Sequence, residues 1–382
     1  MQPLVTEQTA VRSETPVSKP ARLLSLDVFR GATVASMILV NNAGSDQTYI
    51  PLEHADWHGW TFTDLVFPFF LWIIGVAITL STARRVAEGA DKTKLFLHIL
   101  RRSAMIFIIG ELLVLIPYFR FSTMRIPGVL TRIAICYLIA ATIFLFTNLR
   151  GRIIWIAGLL TAWWLLVMFV PVPGYGAGFL DRPEGTLQWY WDGMFLSGHM
   201  YSHTKTWDPE GILSTLPAIA TVLFGILAGM LLQTKKTMEE KTAWMFLLGN
   251  LLIFAGLMLS TWVPINKKLW TSSYSVFMAG MAWVIFAGCY WLVDVQKWQR
   301  FTKPFTIYGM NAIAVYVLSG AIGKGFSIIK IGDTSLQGYL FQNFFEPLAS
   351  PKNASFLYAF ANVAVCYLAA WLLYRKKIFI RL

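Results

Sequence analysis

The chain has 382 residues, of which 56% are hydrophobic and only 14% charged, with mean hydropathy +0.57 and a formal charge of +12. A soluble chain carries roughly 25% charged residues, so most of this surface must face lipid. The positive charge does not indicate nucleic acid, because the basic residues lie between hydrophobic segments and form no stripe on a soluble domain.

Residues 1–22 are polar, lack the apolar core of a signal peptide, and read as a disordered cytoplasmic tail. Residues 23–382 read as one membrane domain. Crossing a bilayer as a helix takes about 20 apolar residues. Ten stretches qualify: 24–43, 62–82, 95–116, 128–148, 153–171, 211–233, 243–263, 273–293, 304–323 and 354–374. The predicted fold is all-α, a polytopic integral membrane protein of about ten transmembrane helices. Nineteen basic residues fall in the tails and connectors of one side and nine in those of the other. The excess of positive charge places both termini in the cytoplasm. The longest connector, residues 172–210, then lies outside. Its glycines, aromatics, acids and histidines suit an interfacial aromatic belt or a lid that stacks on sugar rings. Cys136, Cys289 and Cys366 sit in apolar spans without CxxC spacing and read as packing residues. No internal repeat is visible, nor the paired broken helices of inverted-repeat transporters.

The stretch from Leu24 to Thr79 concentrates the polar signals. Its first apolar span ends on Asn41 and Asn42, a loop carries His54, Asp56, Trp57 and His58, and the next span begins with Asp64. Polar groups beside hydrocarbon are costly and are usually retained for a task. Each of these side chains singly could serve to cap a helix or hold the loop; together Asn41, His54, Asp56 and Asp64 favour a site. An unperturbed imidazole pKa near 6.5 suits proton transfer, and Asp56 or Asp64 is placed to orient His54. His54/His58 and His199/His203 are spaced like zinc ligands, but neither pair lies in a strongly helical run and HExxH is absent, so no metal is expected. Further candidates on the same side are His203, Asp208, Glu210, Asn266, Lys267 and Trp270. Asp208-Pro209-Glu210 also makes an ordinary helix start. Arg132, four residues into an apolar span, needs a carboxylate, phosphate or carbonyl partner. Asp27 and Arg30 lie one turn apart at the other end of the first span, as an ion pair or a ligand site.

The runs SLDVFRG, His54-Ala55-Asp56-Trp57, DLVFPFF, GVLTRI, WDPEGIL, INKKLWTSSY, GMNAIAVYV and YRKKIF occur in one order along nearly the whole membrane domain. In these runs the chain resembles the heparan-α-glucosaminide N-acetyltransferase family, in the manner of a bacterial relative. The resemblance implies a transmembrane acyltransferase fold and transfer of an acetyl group from cytosolic acetyl-CoA to an amino sugar outside the cytosol. His54 matches the family's catalytic histidine and Asn41 its active-site asparagine; Asn311 lies in GMNAIAVYV. Leu318-Ser319-Gly320 replaces the family's His-Glu, a departure that bears on the acceptor more than on the chemistry; for a bacterial relative the expected acceptor is a cell-wall or scavenged amino sugar. Expected partners are acetyl-CoA, an amino-sugar or glycan acceptor, the lipid bilayer of a bacterial inner membrane and, as an open option, a second copy of the chain. The alternative reading is a transporter of an amino sugar or sugar acid without acyl chemistry.

Overall fold

The computed structural model describes residues 23–380; the expected disordered tail at 1–22 lies outside them. The helices follow the apolar runs. They are α1 (Leu24–Asn41), α2 (Phe62–Ala87), α3 (Lys92–Leu115), α4 (Val129–Phe146) and α5 (Leu149–Phe169). After the short α6 (Leu187–Phe195) come α7 (Thr215–Leu232), α8 (Met238–Leu259) and α9 (Ser272–Tyr290). The chain closes with α10 (Thr302–Met310), α11 (Ala312–Ile328), α12 (Leu336–Leu340) and α13 (Pro351–Arg375). Among the described residues the only paired strands are the two-residue segments Lys330–Ile331 and Thr334–Ser335.

Eight helices are long and apolar enough to cross a membrane, and nine if the bent pair α10–α11 counts as one span. The chain is thus an all-α integral membrane protein, with two departures from ten uniform spans. The helix over 95–116 exists as α3, but Arg101, Arg102 and Glu111 interrupt its apolar character, and it is not among the eight. The span expected at 304–323 breaks by 82° at Asn311. Asn311 is one polar residue in a largely apolar run, so hydropathy averaged over the span does not register the break. The connector 172–210 also has regular structure, since α6 forms inside it with Thr186 as an N-cap accepting from the Trp189 amide.

An inner set of helices is surrounded by an outer one. The apolar window of α7 is 72% buried within the protein, against 22% for α8 and α13, which therefore present most of their surface to lipid. Two glycine contacts bring inner backbones together. A methyl on Gly75 in α2 would stand 2.0 Å from the Val222 carbonyl oxygen of α7, and one on Gly31 in α1 would stand 1.7 Å from that of Phe305 in α10. Only glycine permits such approach, the usual device where helices associate by packing instead of by exclusion from water.

Candidate active site

The start of α2 sets the site. Asp64 stands three residues after Thr61, and its Oδ2 accepts from the Thr61 amide at 3.0 Å and the Ala55 amide at 3.1 Å. A carboxylate reaching back to the N-cap amide is half of a capping box, and it favours the positive end of the helix dipole. Its other oxygen, Oδ1, is 2.6 Å from Nδ1 of His54. Pro68, four residues on, has no amide to offer the Asp64 carbonyl. The hydroxyl of Tyr274 donates to that carbonyl instead, at 2.7 Å. Backbone and side chain of Asp64 are therefore held from several directions before His54 is considered.

A second loop closes on the first. The Gly59 amide donates to the Ile265 carbonyl at 2.8 Å, and Lys268 Nζ donates to the Asp56 carbonyl. Asn266, fully buried, accepts from the Leu269 amide at 2.9 Å and faces His58 at 3.4 Å. This turn carries Lys267, whose Nζ lies 3.1 Å from Nε2 of His54. Burial pulls the Lys267 ammonium below the usual lysine range, while Glu210 and Asp64 act to raise it. Burial likewise lowers His58, against the field of Asp181.

A third group supports these two loops. Arg125 meets Asp208 through Nε at 2.8 Å and Nη2 at 2.6 Å, and Nη2 also meets Glu210. Burial disfavours the Arg125 charge, but these two carboxylates outweigh it and hold the guanidinium charged. In return Arg125, Arg132 and Lys267 keep Glu210 below the carboxylate range that its burial would otherwise push upward. Asp192 accepts from the amides of Asp208 at 3.0 Å and Ile212 at 3.2 Å; burial raises its pKa to about 7. Gly211 fits beneath it because a methyl there would stand 2.2 Å from the carboxylate. The expected capping role of Asp208-Pro209-Glu210 is not observed: α7 begins at Thr215, and Arg125 holds both acids in a turn before it.

Arg132 finds the backbone-carbonyl partner that its position demands. Only 1% exposed, it donates through Nη2 to the Gly211 carbonyl at 3.1 Å and to the Ser214 hydroxyl, with its guanidinium over Trp270 at 5.2 Å. Its Nε and Nη1 have no hydrogen-bond partner among the described residues. Trp270 is itself buried between Phe67 and Tyr274 and donates to Thr221.

The remaining candidates divide. Trp57 donates to the Leu180 carbonyl at 2.7 Å and packs edge-on against Trp207, which joins the long connector to the His54 loop. His203 is exposed and packs on Tyr201. Asp56 is exposed, and Asp64 takes the position beside His54 for which both acids were candidates. Asn41 is exposed at the end of α1 and makes no side-chain hydrogen bond among the described residues, while Asn42 braces α1 against Ser319 of α11 at 3.2 Å. No group of three or more His, Cys, Asp or Glu suited to a metal occurs among the described residues.

Asp27, Arg30 and Asn311 belong to the opposite end. There a cavity of about 880 Å³ opens between α1, α2, α3 and the α10–α11 bend. Arg30, Arg85, His98, Arg101 and Arg102 are in its lining, and its depth is apolar, with Phe70, Ile73 and Ile133. Arg30 reaches Asp27 and the Gly309 carbonyl, both at 3.5 Å. Asn311 pins the C-terminal segment across this end, donating to the Ile378 carbonyl at 3.1 Å and accepting from the Ile380 amide at 2.8 Å. Along α2 the lining runs from Phe70 to Arg85, about 22 Å of helix, and Phe70 is about 9 Å from Asp64.

Sequence reasoning missed Arg125, Asp192 and Tyr274. A signal existed for Tyr274, since a proline four residues after Asp64 announces a carbonyl in need of a donor. The buried acids of the DPEG turn likewise called for a cation.

The sequence model of the family described as heparan-alpha-glucosaminide N-acetyltransferase, catalytic, matches residues 22–263. That range includes His54, Asp64, Arg125, Arg132, Asp208 and Glu210 and stops just before the Lys267 turn. The heparan-alpha-glucosaminide N-acetyltransferase of Mus musculus is 30% identical over 421 residues, covering 96% of this chain and 61% of that protein. The Homo sapiens protein of the same name is 30% identical over 415 residues, covering 94% and 60%. The chain thus spans about three-fifths of the length of these curated relatives. With its catalytic-region match and its membrane helices, the chain belongs to the heparan-alpha-glucosaminide N-acetyltransferase family.

Proposed function

We propose that this protein is a membrane-embedded acetyltransferase that carries an acetyl group from acetyl-CoA, bound from the cytoplasm, to the amino group of a glucosamine-type acceptor outside. The observation that carries this reading is the arrangement on α2, with the His54–Asp64 pair at one end and the arginine-lined cavity along the rest. The cavity suits a ligand with phosphates and a long, less polar arm, as guanidinium groups bind phosphate well and apolar walls accept the arm. The charge asymmetry of the connectors supports a cytoplasmic position for that end and for both termini.

In this reading Asp64 holds the proton of His54 on Nδ1 and leaves Nε2 to act. Nε2 takes the proton of the attacking amine, or accepts the acetyl group before passing it on. Asn41 is a neutral donor for the thioester oxygen. Arg125, Arg132, Asp208 and Glu210 keep the outer turns in place around the acceptor. Trp57 and Trp207 offer aromatic faces on which a sugar ring can stack.

Proteoliposomes with acetyl-CoA on the side of the basic connectors test the proposal. Label from [14C]acetyl-CoA is expected on glucosamine supplied at the opposite face. Passage of unmodified sugar without acetyl-CoA, and no labelled product, would replace it with the transporter reading.

A further inference from the structure

Lys267 stands against the imidazole of His54. Its Nζ is 3.1 Å from Nε2 and 3.3 Å from Nδ1. Because Nδ1 is bound to Asp64 at 2.6 Å, the ring proton stays there and Nε2 keeps its lone pair. The ammonium stands nearly equidistant from the two ring nitrogens, against the imidazole and not on the axis of the Nε2 lone pair, which stays open to a substrate. The turn fixes that donor: Asn266 accepts from Leu269, Trp270 adopts a left-handed φ of +50°, and Thr271 Oγ1 donates to the Pro264 carbonyl at 2.9 Å. A side chain presented so narrowly does more than fill space.

We infer that Lys267 is the charged oxyanion donor of acyl transfer, turning from the His54 ring to the thioester carbonyl oxygen that forms beside it. The assignment rests on the acetyl-transfer reading above. The neutral amine attacks the carbonyl carbon and forms the N–C bond, while the C=O π pair moves onto oxygen. Lys267 binds the resulting alkoxide with an ionic hydrogen bond. Collapse restores C=O and breaks C–S. The amine proton passes through His54 Nε2 to the departing thiolate, leaving an amide and free CoA thiol. If the acetyl group rests first on Nε2, the same alkoxide forms in each half, and the same ammonium serves both. A carbonyl carbon within about 3–3.5 Å of the attacking atom at this site brings its oxygen within reach of Nζ.

Charge supports the arrangement. Glu210 and Asp64 attract the ammonium, whereas burial, Lys268 and Arg132 disfavour it, so Lys267 loses its proton below the ordinary lysine range. The half-exposed His54 is a further titratable neighbour. The rate therefore declines on the alkaline side as the donor becomes neutral.

Acetyl transfer to glucosamine by the purified full chain, with wild type, Lys267→Met and Lys267→Arg, tests the assignment. Lys267→Met is expected to lose about 10²–10³ in kcat, the usual effect of removing one oxyanion donor. The KM for acetyl-CoA should stay unchanged, because the arginine-lined cavity is untouched. Lys267→Arg should keep part of the rate and lose the alkaline decline, since guanidinium does not titrate there. Carbethoxylation of His54 by diethyl pyrocarbonate, followed by mass spectrometry, should quicken in Lys267→Met because the neighbouring positive charge no longer lowers the nucleophilicity of the ring. An active wild type with Lys267→Met within a few-fold of it overturns the assignment alone. So does an unchanged alkaline decline in Lys267→Arg, or unchanged His54 modification. A folded wild type that acetylates no amino sugar defeats the acetyl-transfer reading, and the role of Lys267 with it.

Discussion

The two ends of α2 solve opposite problems. At the His54 end the carboxylates are engaged within the protein: Asp64 by two amides and an imidazole, Asp208 by Arg125 and two amides, Asp192 by two amides. At the other end several arginines surround about 880 Å³ of open volume. A group that performs a step must already be in position, and its own hydrogen bonds provide that. A group that captures a ligand must keep its donors facing the space where the ligand arrives. In the proposed reaction, the held carboxylates then suit the end where the step takes place and the arginine-lined cavity the end where the ligand is received.

The largest break in this comparison is expected at His54. His54→Ala should lose about 10²–10⁴ in acetyl-transfer rate, the usual contribution of a positioned base, yet still bind acetyl-CoA at the far end. Isothermal titration with acetyl-CoA beside a rate assay separates the two. Next comes Arg132. Its removal leaves the buried Gly211 carbonyl and Ser214 hydroxyl without their donor, at a cost of about 1–3 kcal/mol per stranded group, and Arg132→Lys should recover only part of that. Thermal unfolding in detergent measures both variants; an Arg132→Ala protein as stable as wild type would show that Gly211 and Ser214 do not depend on it.

How much of this was legible in the sequence follows from chain separation. The helices were legible because lipid demands long apolar runs, and Asp64 was legible as a candidate through its place at a span's edge. The choice between Asp56 and Asp64 was not, since it is decided by the cap at Thr61 and by a tyrosine 210 positions away. Arg125 pairs with Asp208 across 83 positions, and no local pattern announces that partner. The break at Asn311 escaped likewise. Asn311, at the break, is bonded to the tail segment Ile378–Ile380, 67 and 69 positions away, and such distant partners leave no mark in a hydropathy average.

The receiving end gives a smaller expected effect of a different kind. Arg101→Ala and Arg102→Ala should each raise the KM for acetyl-CoA, by roughly ten- to hundredfold if one ionic hydrogen bond of about 1.5–3 kcal/mol is lost, and leave kcat near wild type. Equal losses in kcat would mean that the cavity belongs to the reacting machinery. The smallest effect concerns Asp192. Folding raises its pKa from the ordinary 3.8 to about 7. Between these values the folded state binds more protons than the unfolded one, so stability falls as pH rises through the window and levels off above it. Asp192→Asn should flatten that slope, whatever its offset, when unfolding temperature is followed from pH 4 to 8.

The glycine contact between α2 and α7 has a consequence for which donors such a protein accepts. α2 carries Asp64 and also one wall of the cavity, and it is fastened midway where Gly75 meets the Val222 carbonyl. The helix cannot slide or bow there without backbone collision. It therefore behaves as a ruler: the separation between the base and the cavity is set by a rise of about 1.5 Å per residue, not by a closing movement. For the proposed reaction, each methylene added to the acyl group consumes part of a fixed gap. Selectivity for a two-carbon acyl chain then arises from the length of a helix segment, with no dedicated side chain needed to exclude longer ones.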